Sequence, residues 1–219
     1  IVSGQVKING RISKDLSTII DTDTDRVTFS GEQIQPIKNV YYLMLNKPKG
    51  YITTTSDEKG RATIMSLLPE KYIRSGVMPV GRLDKDTEGL LLFTNDGDLA
   101  HKLTAPSFKV KKEYIVEIDK PLKEADRKRI EKGFFVHQVK AKTRPSTVTV
   151  IEKSGMFVKV LIVEGKKRQI RYSFKNLGYN VLKLKRTGYG ALSIGRLNKG
   201  DHRLLKTAEV KLLKNAISE

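Results

Sequence analysis

Cysteine is absent from the 219 residues, and histidine occurs only at His101, His137 and His202. The first absence excludes a disulfide scaffold, a Cys-based zinc site and thiol catalysis. Three histidines this scattered make no imidazole-rich metal site, so each is expected to be a surface or packing residue. No apolar run approaches the length of a membrane span and no signal-peptide pattern opens the chain, which makes the cytoplasm the expected compartment. Prolines are few, and neither a low-complexity tract nor an internal repeat is present. Acidic residues are the other shortage. Asp and Glu number 24 against 42 Lys and Arg, a formal net charge of +18. Such an excess costs self-repulsion and points to a polyanionic partner, RNA or DNA before any other. The plainer alternative is a generically basic protein, and charge alone names no chemistry.

What is present is a globular composition, 38% hydrophobic, long enough to bury a core as one domain or as one domain with a small appendage. Residues 1 to about 37 read as a small β-rich unit too short to bury a core alone. In it Val6-Lys7-Ile8 alternates before the Asn9-Gly10 turn dipeptide, and a strand over Arg26 to Phe29 ends at Ser30-Gly31. Gln33 to Asn39, with Pro36, reads as a linker. From residue 38 a larger domain is expected. Strands are predicted over Tyr41–Leu45, Leu90–Thr94, Lys112–Ile118, Thr147–Ile151, Met156–Val163 and Val181–Leu184. Helices are predicted over Thr63–Leu68, stopped by Pro69, and over Asp98–Thr104, Lys123–Lys132 and Gln169–Leu177, the last two closing at Gly133 and Gly178. Successive strands with intervening helices give an α+β domain rather than a βαβ repeat.

The richest segment is Gly81-Arg82-Leu83-Asp84-Lys85-Asp86-Thr87-Glu88-Gly89. Asp84, Asp86 and Glu88 on alternate positions before a glycine imitate the opening of a calcium loop. The twelfth position, which needs a bidentate Glu, is Asn95, and the apolar run Leu90 to Phe93 fills the second half. A metal loop is therefore discounted, and a nuclease built on these three acids with it. A solvated acidic turn is the bland alternative. Against it, an acidic spot on a strongly basic chain repels phosphate unless it has a task.

Four blocks in order carry a family resemblance: Asn46-Lys47-Pro48-Lys49-Gly50, Gly81-Arg82-Leu83-Asp84 through Asn95-Asp96-Gly97, Lys112-Glu113-Tyr114, and Glu164-Gly165-Lys166-Lys167-Arg168-Gln169-Ile170-Arg171. Together with Leu184 to Arg186 and Gly200 to Leu204, they resemble the RsuA/RluB-type ribosomal RNA pseudouridine synthases over nearly the whole chain. The resemblance implies an α+β catalytic domain over 38–219 with a mixed, mainly antiparallel sheet and flanking helices. Residues 1–37 would be the second half of a small alpha-L RNA-binding module whose helical first half precedes Ile1.

The resemblance also implies roles. Asp84 would be the catalytic carboxylate. Arg82 would occupy the space a flipped nucleotide leaves, and Tyr114 would pack on the flipped base. Ile170 and Arg171 would line the pocket, Arg171 pairing with Asp84. Lys47 and Arg168 would contact RNA, although the block containing Lys47 is mainly architectural in this family. Asp86 and Glu88 are read as bystanders of the turn. After Arg171 the family carries a basic residue and then Met, whereas this chain has Tyr172-Ser173-Phe174, a departure that bears on helix packing or RNA contact. The expected partner is ribosomal RNA, with tRNA left open, and the expected state a monomer without metal, nucleotide or redox cofactor. The wording Arg168-Gln169-Ile170-Arg171 is closer to members acting on large-subunit RNA.

Pseudouridine formation breaks the N1–C1′ bond, turns the uracil and joins C5 to C1′. The base must leave its stack, which makes a stacking aromatic and a gap-filling side chain sensible. A carboxylate suits the electron-poor C1′, either attacking it or removing a sugar proton. Tyr114 as a core aromatic, and Arg168 with Arg171 as a phosphate-facing pair, are the bland counterparts. A ribosome-associated RNA-binding protein without catalysis is the competing function.

Overall fold

The computed structural model describes residues 1–34 and 39–217, and the chain divides into two compact units, Ile1–Val40 and Tyr41–Glu219. Pro36, in the expected linker, lies outside the described residues.

In the first unit β1 (Val6–Ile8), β2 (Arg11–Ile12), β3 (Val27–Phe29) and β4 (Glu32–Gln33) form an antiparallel sheet in the order β2-β1-β3-β4. Both hairpins turn on dipeptides at positive φ, Asn9-Gly10 at 51° and 82° and Ser30-Gly31 at 50° and 90°. That geometry matches the right-handed strand twist. None of the unit's described residues is fully buried. Polar ties substitute for a core: Asn9 donates to the Asp25 carboxylate (2.7 Å) and accepts from the Arg26 N–H (2.8 Å).

The second unit contains β5 (Tyr42–Lys47), β6 (Met78–Pro79), β7 (Glu88–Thr94), β8 (Lys112–Ile118), β9 (Phe135–Val136), β10 (Ala141–Lys142), β11 (Thr147–Val150), β12 (Phe157–Ile162), β13 (Val181–Tyr189), β14 (Leu192–Ser193) and β15 (His202–Leu204). Its α-helices are α1 (Glu70–Arg74), α2 (Gly97–Thr104), α3 (Glu124–Lys132), α4 (Gln169–Asn176) and α5 (Thr207–Asn215). One sheet runs β11-β12-β8-β13-β7-β5-β15, with β14 added to β13 and β6 to β7. Every pairing in it is antiparallel except β13 with β7. The mixed, mainly antiparallel α+β architecture expected from the sequence is therefore present. No helix among the described residues is long and apolar enough to cross a membrane.

The unbroken apolar runs have a simple cause. Leu43, Leu45, Leu91 and Phe93 join a core on one face of the sheet, while Met44, Leu90 and Leu92 join another on the opposite face. Strands covered on both faces read as continuous hydrophobic stretches, and each enclosed Leu or Phe contributes about 1.5–3 kcal/mol. Tyr72, Ile130 and Phe174 bring α1, α3 and α4 to the first core; Leu99, Leu103 and Leu213 bring α2 and α5 to the second. Phe174, part of the departure after Arg171, is fully buried, its ring centroid 6.3 Å from that of Tyr179 in an edge contact.

Three local expectations are corrected. The segment after Thr63 is a 3₁₀ turn, Ile64–Leu67, and Pro69 does more than stop it: its fixed φ suits the position just before α1, a helix the sequence did not suggest. Strand β5 continues to Lys47, so the turn begins at Pro48. Strand β13 runs on to Tyr189, well past Leu184, because it is bordered by β8 along one side and β7 and β14 along the other.

Candidate active site

The segment before β7 is bound by its backbone. The Lys47 ammonium, fully enclosed, donates to the carbonyls of Pro48 (3.1 Å), Asp84 (3.1 Å), Thr87 (2.9 Å) and, at 3.5 Å, Lys85. The Gly50 N–H also reaches the Lys85 carbonyl, and Arg171 Nη2 the Asp86 carbonyl, both at 2.8 Å. Four consecutive carbonyls, Asp84 to Thr87, are thus occupied by donors from two distant segments, Lys47 to Gly50 and Arg171. Thr53 pins Leu83 twice, donating to its carbonyl (2.8 Å) and accepting from its N–H (3.3 Å). Burial pushes the Lys47 amine down to about 8, with Asp86, Asp84 and Glu88 acting in the other direction. An amine so enclosed offers no face to RNA. The expected RNA contact at Lys47 is corrected to a backbone staple, as the architectural reading of its block implied.

Gly89 then sets the sheet beneath the loop. At φ 106° it pairs with Arg186 across the parallel β7–β13 edge, where a Cβ would stand 2.1 Å from the Arg186 carbonyl oxygen. Only glycine lets the strands approach this closely.

Above the staple a cavity of about 110 Å³ is lined by Asp84, Tyr114, Ile170, Arg82 and Thr87, among others. The loop supplies Asp84, β8 supplies Tyr114, and the first turn of α4 supplies Ile170. Tyr114 and Ile170 are each 7% exposed, and Arg82 lies exposed at the rim. The Asp84 carboxylate is half-buried and, among the described residues, accepts no hydrogen bond and joins no ion pair. The Thr87 hydroxyl is buried without a hydrogen-bond partner. Folding thus brings Asp84, Tyr114 and Ile170 to one cavity.

Arg171 behaves differently. Its Nε lies 3.3 Å from the Asp86 carboxylate, an ion pair whose angle falls short of a hydrogen bond, and its Nη1 donates to the Val181 carbonyl at 3.1 Å. Arg168, which lines the cavity in a left-handed conformation just before α4, holds the same Asp86 with two 2.9 Å hydrogen bonds. The expected direct pairing of Arg171 with Asp84 is therefore corrected: the contact is with Asp86, and Asp86 is no bystander. Burial works to raise the Asp86 carboxyl, but the Arg168 hydrogen bonds and the charges of Arg171 and Arg168 outweigh it and hold the group below 3.8. Burial lowers Arg171 from its ordinary value, and Asp86 and, less strongly, Asp84 act to raise it. Glu88 is engaged by Lys199 at 2.9 Å. The three acids that imitate a calcium loop therefore face three different surroundings.

Thr53, Thr87 and the central place of Asp86 were missed by sequence reasoning. The two threonines give no signal in one sequence. Asp86 stood two positions from Asp84 on the same turn, and residue type alone does not say which of the two carboxylates Arg168 and Arg171 meet.

A family model described as RNA pseudouridylate synthase matches residues 41–176. An RNA pseudouridine synthase of Aquifex aeolicus is 38% identical over 219 residues, covering 99% of this chain and 89% of that protein. The ribosomal large subunit pseudouridine synthase B of Bacillus subtilis is 36% identical, covering 98% and 87%. A crystal structure of a pseudouridylate synthase superposes with a TM-score of 0.75 at 31% identity, covering 97% of this chain and 90% of that one. The chain belongs to the RNA pseudouridylate synthase family, and within it to the RsuA/RluB type. It is an isomerase that converts uridine to pseudouridine in RNA.

Proposed function

We propose that this protein isomerises specific uridines of ribosomal RNA in the cytoplasm, large-subunit RNA being favoured, with Asp84 as the catalytic carboxylate. One observation carries the assignment of Asp84: an acid left without a partner among the described residues, on a loop whose backbone is fixed by Lys47, Gly50, Thr53 and Arg171, in one cavity with Tyr114 and Ile170. Unpaired carboxylates in partly desolvated clefts cost stability, and such cost concentrates where chemistry needs it. The large-subunit preference rests on the Bacillus subtilis relative's name and on the Arg168 to Arg171 wording.

In this reading the flipped uracil enters between Tyr114 and Ile170 while Arg82, exposed at the rim, fills the gap left in the RNA. Asp84 acts on the sugar, bonding to C1′ or removing a sugar proton. Arg171 is a positioning residue, holding the loop through Asp86 and its carbonyl. Arg168 belongs to the cavity wall, its guanidinium committed to Asp86. We further read residues 1–37 as belonging to a small RNA-binding module preceding a catalytic domain over 38–219. The first 40 residues hold as many acids as basic residues, so the +18 excess lies in residues 41–219.

No observation favours a catalytically inactive RNA-binding protein. The test is Asp84→Asn in a transcript assay, where pseudouridine formation is lost while RNA affinity stays within about threefold. Retained activity in that variant removes Asp84 from catalysis.

A further inference from the structure

A second cavity, of about 340 Å³, opens beside the first and shares Tyr114, Arg82, Gly165 and Lys166 with it. Five cations line it, Arg82, Lys112, Arg144, Lys166 and Arg186, and one acid, Glu164. That acid is already engaged. It accepts from the Arg144 N–H at 2.8 Å and from the Gln169 amide at 2.7 Å, and lies 3.0 Å from the Lys166 ammonium.

Deeper in the cavity stand Lys112 and Arg186, both over the Tyr189 ring, at 5.2 Å and 5.0 Å from its centroid. Arg186 is 2% exposed; its Nε donates to the Leu90 carbonyl at 2.7 Å, but its Nη2 is buried with no hydrogen-bond partner. Lys112 donates to the Val110 carbonyl at 3.0 Å, and among the described residues neither cation joins an ion pair. Burial first and the neighbouring Arg186 charge second push the Lys112 amine down to about 8, with no carboxylate opposing them. Two like charges sharing a desolvated cavity without a counter-ion are unfavourable, and a guanidinium N–H left unpaired adds to the cost. An anion placed between them reverses both effects.

We infer that this cavity is a phosphate subsite, in which Lys112 and Arg186 hold a backbone phosphodiester of the substrate RNA adjoining the nucleotide whose base enters the first cavity. The shared wall at Tyr114 gives the geometry: a base on one side of the tyrosine and its linkage on the other. The planar guanidinium and the ammonium suit a tetrahedral oxyanion, and Arg82 with Lys166 lines the passage between the two cavities. The inference rests on the proposed base pocket, but its test does not require catalysis.

The experiment measures binding of fluorescent pentauridylate, with natural linkages and with neutral methylphosphonate linkages, to the full chain carrying Lys112→Met or Lys112→Arg. Lys112→Met is expected to weaken the natural oligonucleotide about tenfold and to lower the salt slope by about 0.7. It should leave the methylphosphonate oligonucleotide within about twofold, and Lys112→Arg should restore the natural affinity. Unchanged affinity and slope for the natural oligonucleotide overturn the subsite, as does an equal loss for both oligonucleotides, which would mark a contact to base or sugar. Arg186→Lys is the second probe, read only where its thermal midpoint matches the parent. Wild-type protein that shows the phosphate dependence yet forms no pseudouridine in any transcript overturns the catalytic proposal and leaves the subsite standing.

Discussion

Arg171 reaches Asp86, not Asp84: its Nε lies 3.3 Å from the Asp86 carboxylate and its Nη2 holds the Asp86 carbonyl at 2.8 Å. The two aspartates thereby separate into one that holds the loop and one that faces the cavity, and the predictions differ accordingly.

Replacing Asp86 removes the counter-charge of two arginines. With its side chain about a third exposed, solvent screening discounts the loss, so Asp86→Asn should destabilise the second unit by about 2 kcal/mol. Asp84→Asn, which breaks no bond, should leave urea stability unchanged or slightly raised. The pH dependence has a definite sign. Because Asp86 is held below 3.8 in the folded state, its contribution is present above that value and is lost as pH falls through the lower folded one. Acid titration of wild type and Asp86→Asn should therefore converge at low pH; parallel curves contradict the assignment.

Lys47→Met keeps the volume and removes the donor. The carbonyls of Pro48 and Thr87 lose their side-chain donor, at about 1–3 kcal/mol each, and that of Asp84 keeps only the Thr87 N–H (3.0 Å), so the variant should lose roughly 3 kcal/mol or more. Whatever remains folded should bind RNA with an unchanged salt slope. Normal stability with a slope reduced by one contact returns Lys47 to the RNA surface.

At Gly89 a methyl group has no room. Gly89→Ala, at φ 106° and against the Arg186 carbonyl, should cost about 3 kcal/mol or more and separate β7 from β13 locally. Amide exchange should accelerate first at Glu88–Leu90 and Lys185–Arg186, and exchange no faster there than elsewhere in the sheet refutes the close approach.

Lys112 gives RNA binding a pH limb. The free amine, near 8, faces Arg186, a Tyr189 ring whose hydroxyl is raised to about 12, and a Glu164 already bound to Lys166. Phosphate favours the protonated form, so the association constant should be flat below pH 8. It should fall by up to about one log unit per pH unit above that value. Lys112→Arg should remain flat across the same range, and an identical fall in that variant places the titration elsewhere.

The legible part of the fold was its local chemistry. Asn9-Gly10 announced its hairpin because few other residues tolerate both turn angles, Ser30-Gly31 was legible only as the end of a strand, and the alternation of Lys112 to Ile118 gave its strand to the residue. Helix α1 escaped because five residues after a proline carry no periodicity, and the extension of β13 because two of its three partner strands, β8 and β7, are about 70 to 100 positions away. At the site, Asp84, Tyr114 and Ile170 were found through the ordered blocks. The Asp86 pairing was not, since residue type does not say which of two carboxylates an arginine meets once the loop between them is fixed. Thr53 and the unpaired Arg186 guanidinium were invisible for the same reason: only the folded backbone decides what they face.

The central claim is that Asp84 isomerises uridine in ribosomal RNA, and a pseudouridine map at base resolution tests it most directly. Ribosomal RNA from cells lacking the gene is compared with RNA from cells complemented with wild type or Asp84→Asn. At least one pseudouridine, in large-subunit RNA, should disappear on deletion, return with wild type and stay absent with Asp84→Asn. A map unchanged by the deletion, or restored by Asp84→Asn, would contradict it.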